Sequence, residues 1–482
     1  MALIKCSKCG HEVSDRASAC PKCGTPIVQH NKENMKKNKG LLLACVVVAI
    51  IGIICGLSSL FSKDNTPTSL VVDSEIEVVP KPKENVVISN ELAIAVKKYQ
   101  EIRNFNYGMA AVKRGNKWGY INSNGTEVVS CIYDEVEDFK EGYGTVKISG
   151  KCGVVNTDGK ETIKPSYDNI LSFSHGLAAA YKDKKLGYIN GKGDIIIPFD
   201  YDVNGSGTFT NDGIALVSQN GKYGFINTKG ETITPIKYEY GDMMLNGYAT
   251  VKLDGKFGYV NVKGEEVIPF RFIRASYFSE GWAMVRFDDD KWVNYIDEKG
   301  ETKLSIQTYG GTKSYGNFHD GLALTIYSNY PEPNRYGFVN KDAREVIPIE
   351  FEDARDFRDG LAWIKIYGRS SYINTDGKSV VSDLYSEAGI YSDGLISVMR
   401  NGLWGYVDTK GEEIIECRYA GAKGFSEGVA VVYIEENGSK KYGFVDKKGN
   451  DTFTDEELMK FVESNAVAEE DIEDKINETD DF

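Results

Sequence analysis

The chain has 482 residues, of which 41% are hydrophobic, and carries 57 Lys and Arg against 71 Asp and Glu. This balance is typical of a folded protein with several domains and excludes a chain that is disordered throughout. Eight basic and three acidic residues precede residue 41 and residues 41–61 carry no charge, so residues 62–482 have a formal net charge of −19. Because so acidic a segment repels phosphate backbones, it is not expected to bind nucleic acid.

Residues 1–28 carry two Cys-x-x-Cys motifs, separated by ten residues and each followed by glycine. Four thiolates at this spacing complete a tetrahedral shell around Zn²⁺ and leave no open position for a substrate, which predicts a structural zinc site. The motif resembles the short zinc ribbon at the N-terminus of many bacterial membrane proteins. A unit this small is expected to be unfolded without its metal. The predicted zinc ligands are Cys6, Cys9, Cys20 and Cys23.

Residues 41–61 form a 21-residue segment without a charged side chain and follow a basic segment at residues 29–40. At about 1.5 Å per residue a helix of this length reaches about 31 Å, enough to cross the hydrocarbon core of a bilayer. A buried core helix is the alternative, but core helices rarely lack polar residues on every face. The basic side chains before the segment predict a single-pass membrane protein with a cytoplasmic N-terminus and the rest outside. These side chains are Lys32, Lys36, Lys37 and Lys39. The resemblance of the zinc ribbon implies that the membrane is a bacterial cell membrane.

A proline-containing segment at residues 62–89 is predicted to be a flexible linker, and residues 90–450 then contain ten copies of one pattern. The pattern is clearest at Trp118-Gly119-Tyr120, and its commonest spacing is 34 residues. At positions 294 and 371, Asn and Ser stand in place of Gly, so the backbone conformation of these two copies is not predicted. The marker positions are 119, 153, 187, 224, 258, 294, 337, 371, 405 and 443.

Each repeat is predicted to contain three strands. A Phe-x-x-Gly turn, as at residues 139–142, leads into the first. The aromatic–Gly strand follows and ends on Asn or Asp with Gly three residues later, which is the chemistry of a type I turn with a G1 bulge. The third strand ends near proline and a Tyr-Asp pair, as at Pro165 and Tyr167-Asp168, because proline blocks further ladder pairing.

This pattern resembles the bacterial WG-repeat family, named for its Trp-Gly pair, over about residues 104–450. The resemblance implies repeated β-hairpin units and an envelope or interaction role. Three strands in 34 residues, ten times over, favour an all-β solenoid or superhelical array of about ten three-stranded units. A β-propeller, whose blades usually have four strands in about 40 residues or more, is the alternative.

The central strand of most repeats carries Tyr or Phe next to Ile or Val, and neighbours on a strand point to opposite faces. One face is therefore an aromatic ladder, which forms a candidate ligand-contact surface because aromatic rings stack on sugars and peptides. The alternative is that both faces are buried between stacked repeats. The candidate contact residues are Tyr120, Tyr188, Phe225, Tyr259, Tyr295, Phe338, Tyr372, Tyr406 and Phe444.

The sequence carries no catalytic motif, and the chain is not expected to be an enzyme. His175 and His319 both lie in Phe-x-x-Gly turns and are predicted to be solvated. Asp residues at positions 134, 168 and 202 recur with the repeat, which indicates turn structure rather than a carboxylate pair. In residues 451–482, a capping box at Thr454–Glu457 predicts a short closing helix before an acidic tail.

These features predict a membrane-anchored, non-enzymatic binding or scaffold protein with Zn²⁺ as its structural cofactor. Its repeats would lie outside the membrane and engage a cell-wall polymer or a protein partner. The alternative is a transmembrane sensor or assembly factor in which the zinc ribbon recruits a cytoplasmic partner.

Overall fold

The structure is a computed structural model that describes residues 3–5, 12–14, 85–205, 207–287, 291–308 and 313–465. The chain forms two compact units, Met1–Asp73 and Ser74–Phe482. In the first unit, β1 (Leu3–Lys5) pairs with β2 (Glu12–Ser14) in antiparallel fashion. The predicted membrane span at residues 41–61 and the basic segment before it lie outside the described residues. Within the described ranges, no helix is both long and apolar enough to cross a membrane.

The second unit consists of small antiparallel sheets in which consecutive strands are neighbours, and the sheets of repeats 3 and 4 are joined by one bridge. Repeats 1 to 3 contain β3 (Glu101–Asn106), β4 (Met109–Arg114), β5 (Lys117–Asn122) and β6 (Glu127–Tyr133); β7 (Glu135–Val136), β8 (Tyr143–Ile148), β9 (Lys151–Asn156) and β10 (Glu161–Tyr167); and β11 (Asn169–Ile170), β12 (Leu177–Lys182), β13 (Lys185–Asn190) and β14 (Ile195–Asp202).

The strands of repeats 4 to 7 are β15 (Ile214–Gln219), β16 (Lys222–Asn227) and β17 (Thr232–Tyr238); β18 (Tyr240–Gly241), β19 (Tyr248–Leu253), β20 (Lys256–Asn261) and β21 (Glu266–Phe272); β22 (Arg274–Ala275), β23 (Trp282–Arg286), β24 (Trp292–Asp297) and β25 (Thr302–Gln307); and β26 (Lys313–His319), β27 (Leu322–Asn329), β28 (Glu332–Asn340) and β29 (Glu345–Phe351). Repeats 8 to 10 contain β30 (Asp353–Ala354), β31 (Leu361–Ile366) and β32 (Arg369–Asn374); β33 (Glu387–Ser392), β34 (Leu395–Arg400), β35 (Leu403–Asp408) and β36 (Glu413–Tyr419); and β37 (Gly421–Ser426), β38 (Val429–Glu436) and β39 (Ser439–Asp446).

The all-β repeat array agrees with the sequence, but most repeats have four strands rather than the expected three. The additional strand lies before the Phe-x-x-Gly turn and is often only two residues long, as in β7. A two-residue strand is too short to show an alternating pattern, which is why the sequence did not indicate it. We call the strands of a complete repeat first to fourth in chain order; the aromatic–Gly strand is the third.

The third strand ends in the same turn in all ten repeats, as predicted. A side-chain oxygen of Asn or Asp accepts hydrogen bonds from the backbone N–H groups two and four residues later; at Asn122 the donors are Asn124 (3.2 Å) and Thr126 (3.0 Å). The fourth turn residue has a positive φ, for example +78° at Gly159, which is the bulge position that favours glycine. The turn-forming residues are Asn122, Asn156, Asn190, Asn227, Asn261, Asp297, Asn340, Asn374, Asp408 and Asp446.

The Gly of the aromatic–Gly pair leaves room for a bulge in the fourth strand. In repeat 1 the register shifts between the Trp118 and Tyr120 pairings, and a Cβ on Gly119 would collide with the carbonyl oxygen of Val129. The two repeats without this Gly differ at that place. Asn294 of repeat 6 pairs in regular register with Ser305, and repeat 8 has no fourth strand among its described residues.

Each repeat packs on the next, and the tenth packs on the first. The rings of Phe444 and Phe105 lie 4.8 Å apart, and the hydroxyl of Ser426 donates to the carbonyl oxygen of Phe105 at 2.7 Å. The Glu427 carboxylate accepts from the backbone N–H groups of Tyr107 and Gly108. The repeats therefore form a closed ring. The open superhelical array expected from the sequence is wrong, and the contacts agree with the alternative, a propeller-like arrangement.

Two helices lie at this junction. Helix α1 (Asn90–Val96) is capped by Ser89, whose hydroxyl accepts from the backbone N–H of Leu92, and it buries Leu92 in the same cluster as Phe444. Residues 455–465 form helix α2, which begins with the predicted capping box. The Thr454 N–H donates to the Glu457 carboxylate at 2.9 Å, and the Glu457 N–H donates to the Thr454 hydroxyl at 3.2 Å. The predicted acidic tail lies outside the described residues.

Candidate functional site at the inner rim

The four predicted zinc ligands lie outside the described residues. The first pair falls in sequence between Lys5 and Glu12, which are partners in the β1–β2 ladder. Within the described residues, no group of three or more His, Cys, Asp or Glu side chains is placed to hold a metal ion.

The predicted aromatic ladder is buried, with exposed fractions between 0 and 8%. Each ring packs between repeats; for example, the ring centroid of Tyr120 lies 4.8 Å from that of Phe139 in the next repeat. A side chain with so little exposed surface cannot contact a ligand, so the ligand-contact hypothesis is wrong and the alternative of buried faces agrees with the structure. The residues concerned are Tyr120, Tyr188, Phe225, Tyr259, Tyr295, Phe338, Tyr372, Tyr406 and Phe444.

The tyrosines of this ladder also bond the repeats to one another. The hydroxyl of Tyr120 donates to the carbonyl oxygen of Glu137 at 2.5 Å, and that of Tyr406 donates to the carbonyl oxygen of Lys423 at 2.7 Å. Burial raises the pKa of both hydroxyls well above the ordinary tyrosine value. They are therefore neutral donors that join neighbouring sheets.

The residue before the aromatic side chain of the Phe-x-x-Gly turn behaves differently. The aromatic position itself is nearly constant and mostly buried, with Met244 in repeat 5. The residue before it differs between repeats, and eight of the ten are partly or fully exposed. We call these ten positions the inner rim. They are Asn104, Asp138, Ser172, Thr208, Met243, Tyr277, Asn317, Asp356, Ile390 and Gly424.

One polar group on the rim joins repeats 1, 2 and 10. The Arg103 guanidinium lies 4.0 Å from the Asp138 carboxylate, donates to the carbonyl oxygen of Val136 at 2.9 Å and covers the ring of Trp118. Although half of the Asp138 side chain is exposed, loss of hydration raises its pKa, against the opposing effect of Arg103 and Lys423. Side chains of repeats 1 and 2 therefore meet at this position, and the charge of Lys423 in repeat 10 also acts on it.

A second polar group joins repeats 6, 7 and 8. The Tyr277 hydroxyl lies 3.3 Å from His319 Nε2, which lies 3.9 Å from the Asp356 carboxylate. Burial raises the pKa of Asp356, and His319 opposes that shift. His319 is only 27% exposed, so the prediction that it is a solvated turn residue is wrong. His175 does lie in a turn, where its backbone N–H donates to Glu141.

The recurring Asp residues have the structural role predicted for them. Asp134 forms an ion pair with Lys117 at 2.5 Å and accepts from the backbone N–H of Ser149, so it links the start of β5 in repeat 1 to the β8–β9 turn of repeat 2. Asp168 and Asp202 form the equivalent ion pairs with lysines of their own repeats.

The rim residues were not indicated by the sequence because a repeat pattern draws attention to positions that stay constant. The contrast between constant and variable positions is the signal that could have found them.

A family model described as a WG-containing repeat matches nine segments: residues 89–118, 118–152, 153–185, 187–223, 223–257, 257–292, 336–369, 371–404 and 404–437. A zinc-ribbon domain model matches residues 5–27. A search of curated proteins found no match.

Several solved structures are similar at low identity. A eukaryotic initiation factor is 10% identical with a TM-score of 0.42, over 71% of this chain and 94% of that one. The extracellular domain of a one component system, BT4673, from B. thetaiotaomicron is 10% identical with a TM-score of 0.24, over 73% of this chain and 64% of that one. Virginiamycin B lyase from Staphylococcus aureus is 14% identical with a TM-score of 0.22, over 57% and 94%.

Proposed function

Because the chain belongs to the WG-repeat family, we propose that it is a membrane-anchored, non-enzymatic binding or scaffold protein. Its repeats engage a polymer of the cell envelope or a protein partner outside a bacterial membrane. The uncharged segment at residues 41–61 and the lysines before it support the anchor and its orientation. The zinc-ribbon match at residues 5–27 supports one structural Zn²⁺ held by the four cysteines on the cytoplasmic side.

The observation that carries the binding role is the contrast between the packing positions and the inner rim. In ten copies of one unit, the buried aromatic positions are nearly constant because each of them joins one repeat to the next. Rim positions differ between repeats, eight of the ten are partly or fully exposed, and those of repeats 2, 6 and 8 lie beside Arg103 or His319. A rigid frame with a variable polar surface is typical of repeat proteins that bind partners.

The test is retention of the full chain, purified in detergent, on cell-wall sacculi and on immobilised surface proteins. We expect retention of the wild type, and weaker retention of the rim variants Asp138→Asn and Tyr277→Ala. Because both side chains are partly exposed, the variants are expected to fold normally, which circular dichroism checks. Failure of the wild type to bind either fraction contradicts the proposal. Protease treatment of intact cells tests the topology, since repeats outside the membrane would be cleaved.

A second candidate function is signalling or assembly across the membrane, which the zinc-ribbon match favours. In that case the ribbon would recruit a cytoplasmic partner when the repeats are occupied. Replacement of the four cysteines by serine separates the two functions. If an envelope phenotype is the same in the wild type and in this variant, recruitment of a partner by the ribbon is not part of the function.

A further inference from the structure

Two tyrosines at neighbouring hairpin tips are the most exposed large hydrophobic side chains of the described residues. Tyr330 is 97% exposed and Tyr367 is 90% exposed. They lie in the turns between the second and third strands of repeats 7 and 8, where Asn329 pairs with Glu332 and Ile366 with Arg369. Equivalent positions in adjacent repeats thus both present an aromatic ring to solvent.

The backbone of this turn does not favour tyrosine. Tyr367 has a φ of +49°, in the left-handed region that bulky side chains rarely adopt. Small polar residues take the same place in six other repeats, with φ between +48° and +53°: Ser149, Asp183, Asn220, Asp254, Asn401 and Asn437. Because the Tyr367 ring is exposed, packing within the chain does not compensate for this unfavourable conformation. A strained, exposed residue of this kind points to a function rather than to the fold.

The residue that begins the third strand is a lysine in repeats 1 to 5, but not in repeats 7 and 8 or in repeats 6, 9 and 10. In repeats 1 to 3 the third strand begins with a lysine that pairs with the recurring Asp. In repeats 7 and 8 it begins with Glu332 and Arg369, both exposed. Each exposed tyrosine is therefore followed, two residues later, by a planar side chain that can form two parallel hydrogen bonds.

We propose that these two hairpin tips bind a neutral polysaccharide, with sugar rings stacked on Tyr330 and Tyr367 and hydroxyl groups bonded by Glu332 and Arg369. This inference rests on the proposed function and adds to the inner rim a second contact surface with its own ligand class. The sugar ring offers a flat C–H face and vicinal hydroxyl groups, which match an aromatic ring beside a planar polar group. A polymer engages both tips at once, so that two weak contacts add up to useful affinity.

The surroundings favour a polysaccharide over other occupants. Small molecules bind in concave sites, whereas these residues project from hairpin tips. A stable protein interface covers about 800 Å² on each partner around an apolar centre. In repeat 8, Leu384 is the one exposed large hydrophobic side chain described besides Tyr367. It follows Asp383, whose backbone carbonyl oxygen accepts a hydrogen bond from Arg369. The net charge of −19 after residue 61 opposes a polyanionic polymer.

The experiment is cosedimentation of the full chain, purified in detergent, with insoluble chitin, cellulose and protease-treated cell-wall sacculi. We expect the wild type to bind at least one of these. Tyr330→Asn and Tyr367→Asn should each weaken binding about two- to tenfold, because each removes one stacking contact. Tyr367→Asn restores the residue type of the related turns, so unfolding does not explain a loss of binding. Asn401→Tyr adds a ring to the next repeat and should strengthen binding.

Three outcomes overturn the inference. If the tyrosine variants bind a glycan as tightly as the wild type does, these tips are not the site, although the proposed function stands. If the wild type binds untreated sacculi but not protease-treated sacculi, the partner is a protein, and again only the polysaccharide assignment fails. If the wild type binds neither glycans nor surface proteins, both proposals fail together.

Discussion

Single hydroxyl groups distinguish junctions that otherwise look alike. Tyr406 and Tyr188 occupy the same position in different repeats, and their rings lie 4.9 and 4.8 Å from Phe425 and Phe209. The Tyr406 hydroxyl donates to the carbonyl oxygen of Lys423, whereas the buried Tyr188 hydroxyl has no hydrogen-bond partner among the described residues. Loss of hydration without a new bond costs about 1–3 kcal/mol, so the two hydroxyls contribute to stability with opposite sign.

Replacement of each tyrosine by phenylalanine tests this difference. Tyr406→Phe is expected to lower the free energy of unfolding by about 1–2 kcal/mol, because the Lys423 carbonyl loses its donor. Tyr188→Phe should leave that free energy unchanged or raise it slightly, since it removes a polar atom with no partner. Urea denaturation followed by tryptophan fluorescence measures both. Equal losses in the two variants would mean that Tyr188 does have a partner in solution.

At the scale of elements, the turn after the third strand also positions the repeats. Gly159 and Gly449 occupy the same turn position, with φ of +78° and +83°. A Cβ on Gly159 would collide with the carbonyl oxygen of Val128 in the preceding repeat, whereas a Cβ on Gly449 would meet nothing within 4 Å. The first glycine therefore serves both backbone conformation and packing, and the second serves conformation alone.

Alanine at each of these positions separates the two roles. Gly449→Ala should lower the free energy of unfolding by about 1 kcal/mol, the usual cost of a left-handed alanine. Gly159→Ala should lower it by at least about 2 kcal/mol, because the neighbouring repeat must also move. Thermal unfolding of the two variants provides the measurement. If both lose the same amount, contact with Val128 plays no part in the stability of the junction.

Whether the sequence predicted a feature of the fold correctly depends on how far apart in the chain the interacting residues lie. The turn after Asn122 and the capping box at Thr454 depend on residues within a few positions of each other, and both were predicted correctly. The two-residue first strands were missed because their pairing depends on the hairpin that follows them. Ring closure was predicted only as the alternative, because the angle between successive repeats depends on packing across each junction. The rim residues were missed for another reason, since they differ from repeat to repeat.

At the scale of the whole ring, the closing junction contains the same carboxylate contact as the junction between repeats 2 and 3. The Glu141 carboxylate accepts from the backbone N–H groups of His175 and Gly176 at 2.9 and 2.7 Å, between repeats 2 and 3. Between repeats 10 and 1, the Glu427 carboxylate accepts from the equivalent groups of Tyr107 and Gly108 at 2.7 and 2.9 Å. Helix α1 adds to the closing junction through the ion pair of Lys97 with Glu457. A junction built in this way should be about as stable as an internal one.

Hydrogen exchange at matched amides tests whether the ring closes in solution. In the wild type, the Tyr107 and Gly108 amides should be protected about as strongly as those of His175 and Gly176, because each pair donates to one carboxylate. Glu427→Ala should raise exchange at residues 107 and 108 about tenfold, and the matched variant Glu141→Ala should do the same at residues 175 and 176. In an open array the amides at 107 and 108 would exchange rapidly in the wild type, and Glu427→Ala would change nothing. The internal pair would still respond to Glu141→Ala, so that result would show that the ends of the array separate while its junctions stay intact.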